Sequence, residues 1–308
     1  MTENQTRSYL MQKFATIGIN PRTKLGQNFL IDLNLLHLLK DSAEIDTNDV
    51  VLEVGTGTGS LTGEMSKLAG QVITVEIDRV LHELARQELF GNDNITFVQG
   101  DILKNKNTLN SEVLSIIDAE RKRFPERNFK LVANLPYSIA TPLITNLLTT
   151  ERPPTTMCVT IQKELADRIT ARPGTKDWGA LSLWVQSQCK TKTVRVMPPT
   201  VFWPRPKVDS AIIRIDLDEK KRNKIPDLKF WHEFSRAIFF HRRKFLRAEL
   251  CSVFKKTIPK TKIDEIMRGL KLDENARAET LPVKTMQTLC EVCRMELLRL
   301  PEKERKIL

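Results

Sequence analysis

Short runs of apolar and β-branched residues recur along the first two-thirds of the chain. They are Val50–Val54, Val72–Glu76, Ile95–Gln99, Phe129–Ala133, Met157–Ile161, Thr193–Met197 and Ala211–Ile215, each five residues long. That length suits a strand and is too short for a helix. Between the first five lie amphipathic or mixed stretches of helical length. The alternation predicts an α/β fold, a doubly wound and mainly parallel sheet with helices on both faces. From Leu228 onward the strand signal stops, and Leu228–His241, Lys244–Lys255, Ile263–Leu270 and Val283–Leu300 read as helices. The segment Leu103–Asn128 is long for a connection in a compact domain, so Leu109–Phe124 is expected to form an added surface helix. The charged, proline-containing stretch Asp216–Asp227 marks a boundary. The expected domains are therefore 1–219, with 1–20 as a polar tail, and a smaller helical domain over 220–308.

Charge sharpens this division. Residues 1–219 hold 26 basic and 26 acidic side chains, whereas residues 220–308 hold 23 basic and 12 acidic ones. The whole net charge of +11 thus falls on the helical end. A neutral body beside a basic module points to a polyanion partner, of which a nucleic-acid backbone is the obvious one. With 41% hydrophobic residues in 308, the chain has ample material for a core. It holds no apolar run of membrane-spanning length and no secretory leader at its start. Five scattered cysteines suit a reducing cytoplasm. Cys290 and Cys293 form a C-x-x-C with no second pair or nearby histidine, so two packed thiols are expected there and no metal site.

The candidate chemistry gathers where strands end. Gly55-Thr56-Gly57-Thr58-Gly59 follows the first strand, Glu76 ends the second and Asp101 follows the third. A glycine turn admits a ligand close to the backbone, but the spacing is not the G-x-G-x-x-G of dinucleotide enzymes. A carboxylate at Glu76 can accept both hydrogens of a ribose diol, in a nicotinamide or an S-adenosylmethionine (SAM) site alike. Asp101 is placed to accept from an adenine amine. Either acid alone reads as well as a helix cap at a strand-to-helix turn. Asn134-Leu135-Pro136-Tyr137 ends a later strand. The Asn134 side-chain oxygen and the Leu135 carbonyl can grip the two hydrogens of an exocyclic amine. Pro136 fixes the backbone there, and the Tyr137 ring offers a face for stacking. Together these features point to methyl transfer from SAM to a nucleic-acid adenine.

Several motifs in one order resemble the ribosomal RNA adenine N6-dimethyltransferases, the family that modifies two adjacent adenosines near the 3′ end of small-subunit rRNA. Lys24-Leu25-Gly26-Gln27-Asn28-Phe29-Leu30 is similar to the family's opening motif, and Val51–Gly59 with Val75-Glu76-Ile77-Asp78 to its SAM motifs. Asn134–Pro142 resembles its target-amine motif. Gln162-Lys163-Glu164, Pro204–Ser210 and Arg277–Leu281 extend the match into the helical end. The resemblance implies a Rossmann-like SAM-dependent methyltransferase. In it Asn28 and Leu30 would close over SAM, Gly55 would lie against it, and Glu76 and Asp101 would bind its ribose and adenine. Asn134 would stand between cofactor and target, with Tyr137 and Phe202 sandwiching the base. It also implies small-subunit rRNA and the assembling small subunit as partners of a cytoplasmic monomer, with Arg242, Arg243, Lys244 and Arg247 on the RNA. Ser138, Phe245 and Ala248 depart from residues common in the family. A resistance-type enzyme acting on large-subunit rRNA and a non-catalytic assembly factor stay as alternatives. The basic helical end and Arg277–Leu281 favour the small subunit.

Overall fold

The computed structural model describes residues 6–241 and 244–301, with Thr23 described by its backbone alone. Arg242 and Arg243, two expected RNA contacts, lie outside the described residues. The chain forms two compact units. One runs up to Ala166 and includes Thr191–Leu217; the other comprises Asp167–Lys190 and continues from Asp218.

All seven runs named from the sequence form strands. In chain order they are β1 (Asp49–Val54), β2 (Gln71–Glu76), β3 (Ile95–Gln99), β4 (Asn128–Asn134), β5 (Thr156–Gln162), β6 (Cys189–Met197) and β7 (Ser210–Leu217). They make one sheet in the order β3-β2-β1-β4-β5-β7-β6. β1 is parallel to β2 and β4, β2 to β3, and β4 to β5, while β7 runs antiparallel to β5. Every residue of β1 and β2 is buried, which explains unbroken apolar runs where a half-exposed strand would alternate. The strand order reverses between β1 and β4. In open sheets of this kind ligands bind beyond the carboxyl ends of the strands at that reversal. Gly55 follows β1 and Asn134 ends β4. The topology alone therefore brings the glycine turn and the Asn-Leu-Pro-Tyr corner together.

Residues read as a tail are partly structured. Arg7–Thr16 is a helix, capped by Thr6 Oγ1 accepting from Tyr9 N, with Leu10 and Phe14 buried. Those two are four apart, one helical turn, and so share a face. Phe14 packs edge-on against Phe29 at 5.2 Å and against Trp203 at 5.5 Å. Phe29–Leu30 and Phe202–Trp203 form a two-residue antiparallel pair, Phe29 opposite Trp203 and Leu30 opposite Phe202. Side chains alternate across such a pair. Phe29 and Trp203 accordingly join Phe14 and Leu81, whereas Leu30 and Phe202 join the main core with Leu36, Val132 and Ile212.

The second unit is helical. Leu228–Ile238, Leu246–Val253, Lys260–Gly269 and Val283–Leu298 surround Phe234, Leu250, Phe254, Met286 and Leu289. Residues 167–190, assigned to the first domain from sequence, belong here. Trp184 lies 4.4 Å from the His232 ring, and Ser187 Oγ accepts from Trp231 Nε1 at 2.8 Å. A boundary drawn from charge could not see this contribution, because it is made by apolar and neutral groups. Cys290 and Cys293 are buried, and burial pushes the Cys293 thiol up to about 12. The added surface helix is present as Ser111–Arg123, entered through the short pairing of Leu103–Asn105 with Thr108–Leu109.

Candidate active site

A cavity of about 240 Å³ opens beyond the ends of β1, β2, β3 and β4, lined by Gly26, Asn28, Gly55, Glu76, Asp101 and Asn134 among others. Gly55 has φ +88°, and a Cβ there would stand 3.3 Å from Pro136 Cδ. Both the left-handed backbone and the close approach call for glycine. The turn is thereby pressed against the Asn134–Pro136 corner. At Gly57 the backbone N–H donates to Glu76 Oε2 at 3.0 Å, so the turn is tied to β2 as well.

Glu76 is held by two amides: Gly57 N on Oε2, and Asp78 N on Oε1 at 2.9 Å. Burial raises its pKa above the usual carboxylate range, and the two N–H bonds work against that rise. Each oxygen retains a lone pair that can accept from a ligand hydroxyl. Asp101 Oδ1 accepts from Leu103 N at 2.9 Å, capping a turn and not the helix weighed from sequence, while its other oxygen remains for a ligand donor. Ile77 and Ile102, each next to one of these acids, supply apolar wall.

Asn134 Nδ2 donates to the Asn28 carbonyl at 2.8 Å. A bond to a carbonyl identifies the nitrogen of the amide and leaves Oδ1 as its acceptor. Among the described residues no donor engages that oxygen. The Asn28 side chain bonds its own turn at Gly26 O, so it is the Asn28 carbonyl that orients Asn134. The wall segment is fastened through Asp78, whose Oδ2 lies 3.4 Å from Gln27 Nε2 and 3.5 Å from Arg22 Nε.

Other expected residues lie elsewhere. Leu30 is in the core, on an adjoining cavity of about 50 Å³ that shares Gly55, Gly57 and Asn134 with the first. Phe202 is only 2% exposed and packs beside it, so the expected stacking ring is a core side chain here, turned inward by the two-residue ladder. Leu135 is buried and its N–H bonds Thr160 O, which orders the corner through its backbone. Tyr137 does not line the cavity that Glu76 and Asp101 border. Its hydroxyl bonds Ser210 Oγ at the start of β7, and burial raises its pKa. In the helical unit Arg247 offers both prongs of its guanidinium to Asp264, at 2.6 and 2.9 Å, so it is engaged within the fold. Lys244 lies 3.8 Å from Glu249. Gly26, Phe29 and Ile77 of the quoted motifs also line the cavity without having been given a role from sequence, and Ile102 lay outside those motifs. The two isoleucines directly follow Glu76 and Asp101, and that adjacency was the signal available.

Beneath the turn sits Glu53, 1% exposed, whose Oε2 accepts from both Thr62 Oγ1 and Thr74 Oγ1. Thr74 also bonds Thr56 of the glycine turn. Burial raises the Glu53 pKa to about 8. A carboxyl protonated more readily when folded contributes stability that is full below its unfolded pKa, near 4.5, and is lost as pH rises through about 8. Between pH 5 and 8 this one proton should lower stability by roughly 1 kcal/mol per pH unit, flattening as pH passes 8. Because both threonines use the same oxygen, Glu53→Gln keeps both bonds. Urea unfolding of Glu53→Gln should show a shallower decline over that range, and a slope identical to wild type would refute the assignment.

Residues 18–294 match the family described as ribosomal RNA adenine dimethylase. Two curated relatives, each named ribosomal RNA small subunit methyltransferase A, come from Alkaliphilus oremlandii and Listeria monocytogenes. The first is 37% identical over 84% of this chain and 87% of its own length. The second is 39% identical over 85% and 87%. A crystal structure of a dimethyladenosine transferase from Plasmodium falciparum matches with TM-score 0.71 and 25% identity, covering 86% of this chain and 97% of that one. Since this likeness runs from the N-terminal wall of the cavity into the last long helix, the chain belongs to the ribosomal RNA adenine dimethylase family.

Proposed function

We propose that the protein transfers methyl groups from SAM to the N6 amines of two adjacent adenosines near the 3′ end of small-subunit rRNA. The observation that carries this reading is the Asn134 amide, anchored through its nitrogen to Asn28 with its oxygen left to accept, on the wall of a cavity bearing Glu76 and Asp101. The donor set fits SAM. Glu76 accepts from the ribose hydroxyls and Asp101 from the adenine amine, and Gly55 admits the ligand against bare backbone. When bound, SAM would supply a methyl group on a sulfonium, whose departure as a neutral thioether needs no acid.

The work left to the chain is positioning. An adenine amine is a poor nucleophile because its lone pair is spread into the ring. Asn134 Oδ1 and the Leu135 carbonyl each accept one of its N–H bonds and so aim the lone pair. No strong base is needed beforehand, because the amine becomes acidic only as it is methylated. Tyr137, steadied by Ser210, offers a ring face to the base. The helical unit binds RNA through residues 220–308, with their excess of 23 basic over 12 acidic side chains, and Arg242, Arg243 and Lys244 are contacts. The substrate is the assembling small subunit, met by a monomer in the cytoplasm. No helix among the described residues is long and apolar enough to cross a membrane.

The test incubates the protein with methyl-labelled SAM and undermodified small or large ribosomal subunits, then maps the label. Label on adjacent adenosines near the small-subunit 3′ end is the expected result. Label confined to large-subunit RNA would overturn it.

A further inference from the structure

The helical unit carries two exposed aromatic rings, Phe240 after its first long helix and Phe245 at the start of the next. Leu228–Ile238 closes with a turn in which Phe240 N bonds Ala237 O. Phe239 turns inward and is buried, whereas Phe240 is 78% exposed. Lys244 N donates to His241 O, and Phe245, 46% exposed, stands just ahead of the helix Leu246–Val253. Leu246 N bonds Ala276 O, which brings Arg277 to this face with its guanidinium 5.7 Å over the Phe245 ring. The His241 ring meets Phe240 edge-on at 4.8 Å. Two carboxylates approach these cations: Glu249 at 3.8 Å from Lys244, and Glu279 at 3.9 Å from Arg277. Neither distance is that of a close hydrogen-bonded pair.

We propose that Phe240 and Phe245 are a stacking platform for unpaired bases of the RNA substrate, an interaction surface separate from the methyl-transfer cavity. Rings interleaved with cations are what single-stranded nucleic acid needs: the cations meet phosphates, and the rings take the faces of splayed bases. Charge complementarity favours this occupant, because the unit holds all of the net charge of +11. The proposal rests on the rRNA reading above and adds to it where, and by what contact, the RNA is gripped.

Stacking and charge separate experimentally. Phe240→Ala, Phe245→Thr and the double variant alter no charge. Each should weaken binding to undermodified small-subunit rRNA by about 5- to 100-fold, while the slope of log affinity against log salt stays that of wild type. Phe240→Trp should retain affinity, and SAM binding by all variants should be unchanged. The fold of each is checked by its thermal midpoint; because Phe240 is so exposed, Phe240→Ala is the arm least able to fail by unfolding. Wild-type RNA affinity in Phe240→Ala and the double variant would overturn the proposal. So would a concentration-dependent dimer that the double variant abolishes while RNA affinity holds, since the rings would then bind a second copy. Absence of methyl transfer by the wild-type protein would instead sink the rRNA reading.

Discussion

Asn134→Ala should lower the single-turnover rate of methyl transfer by about 10²- to 10³-fold while changing SAM affinity less than about threefold, the loss typical when one preorganised polar contact to a reacting group is removed. The expectation follows from how the amide is held. Its nitrogen is spent on the Asn28 carbonyl at 2.8 Å, so the side chain is already oriented before a substrate arrives. Its oxygen is the group available to an incoming amine. Truncation deletes that acceptor and leaves the carbonyl of Asn28 without its partner, which costs about 1 kcal/mol of stability. Asn134→Asp separates the two effects. It keeps an oxygen for the amine but sets a carboxylate against a carbonyl, so it should disturb Asn28 and recover only part of the rate. Titration calorimetry with SAM and a quenched-flow methyl-transfer assay make the comparison. If SAM affinity falls as far as the rate does, Asn134 holds the cofactor and does not aim the amine.

Much of this site was legible because parallel sheets place chemistry at predictable points. Gly55, Glu76, Asp101 and Asn134 could be named from strand ends alone, and the strand order then brings them to one cavity. The unreadable part depends on which way a side chain faces. Phe202 and Trp203 are neighbours of similar character, and only their register opposite Leu30 and Phe29 decides that Phe202 enters the core. Arg247 was expected on the RNA from the resemblance, and a motif match cannot show Asp264, seventeen residues away on another helix. Residues 167–190 were misassigned for a related reason: Trp178 and Trp184 fix their unit by burial, and composition reports only charge. The helix Arg7–Thr16 was missed because only Leu10 and Phe14 of its ten residues are buried, too few for periodicity to register.

The loss of cofactor binding at Glu76 should be as large in the glutamine variant as in the alanine variant, about 10²-fold or more in each. Ordinarily glutamine is the gentler change. Here the carboxylate accepts from backbone N–H groups on both oxygens, Gly57 on one and Asp78 on the other. A carboxamide has one acceptor oxygen, so its NH₂ must face one of those two donors whichever way it turns. Either Gly57 shifts, deforming the glycine turn, or the segment Asp78–Leu81 does, loosening the Gln27 and Arg22 contacts behind the cavity wall. Two charge-assisted hydrogen bonds to a ligand diol, at about 1.5 kcal/mol or more each, account for the magnitude. Protonation creates the same defect, because a neutral carboxyl also presents one donor. Burial raises this pKa above the ordinary carboxylate range, so SAM affinity in the wild type should weaken on acidification earlier than a solvent-exposed carboxylate would allow. Equilibrium binding of SAM to wild type, Glu76→Gln and Glu76→Ala across pH checks both points. A glutamine variant that binds within threefold of wild type would mean that the two backbone donors do not constrain this carboxylate.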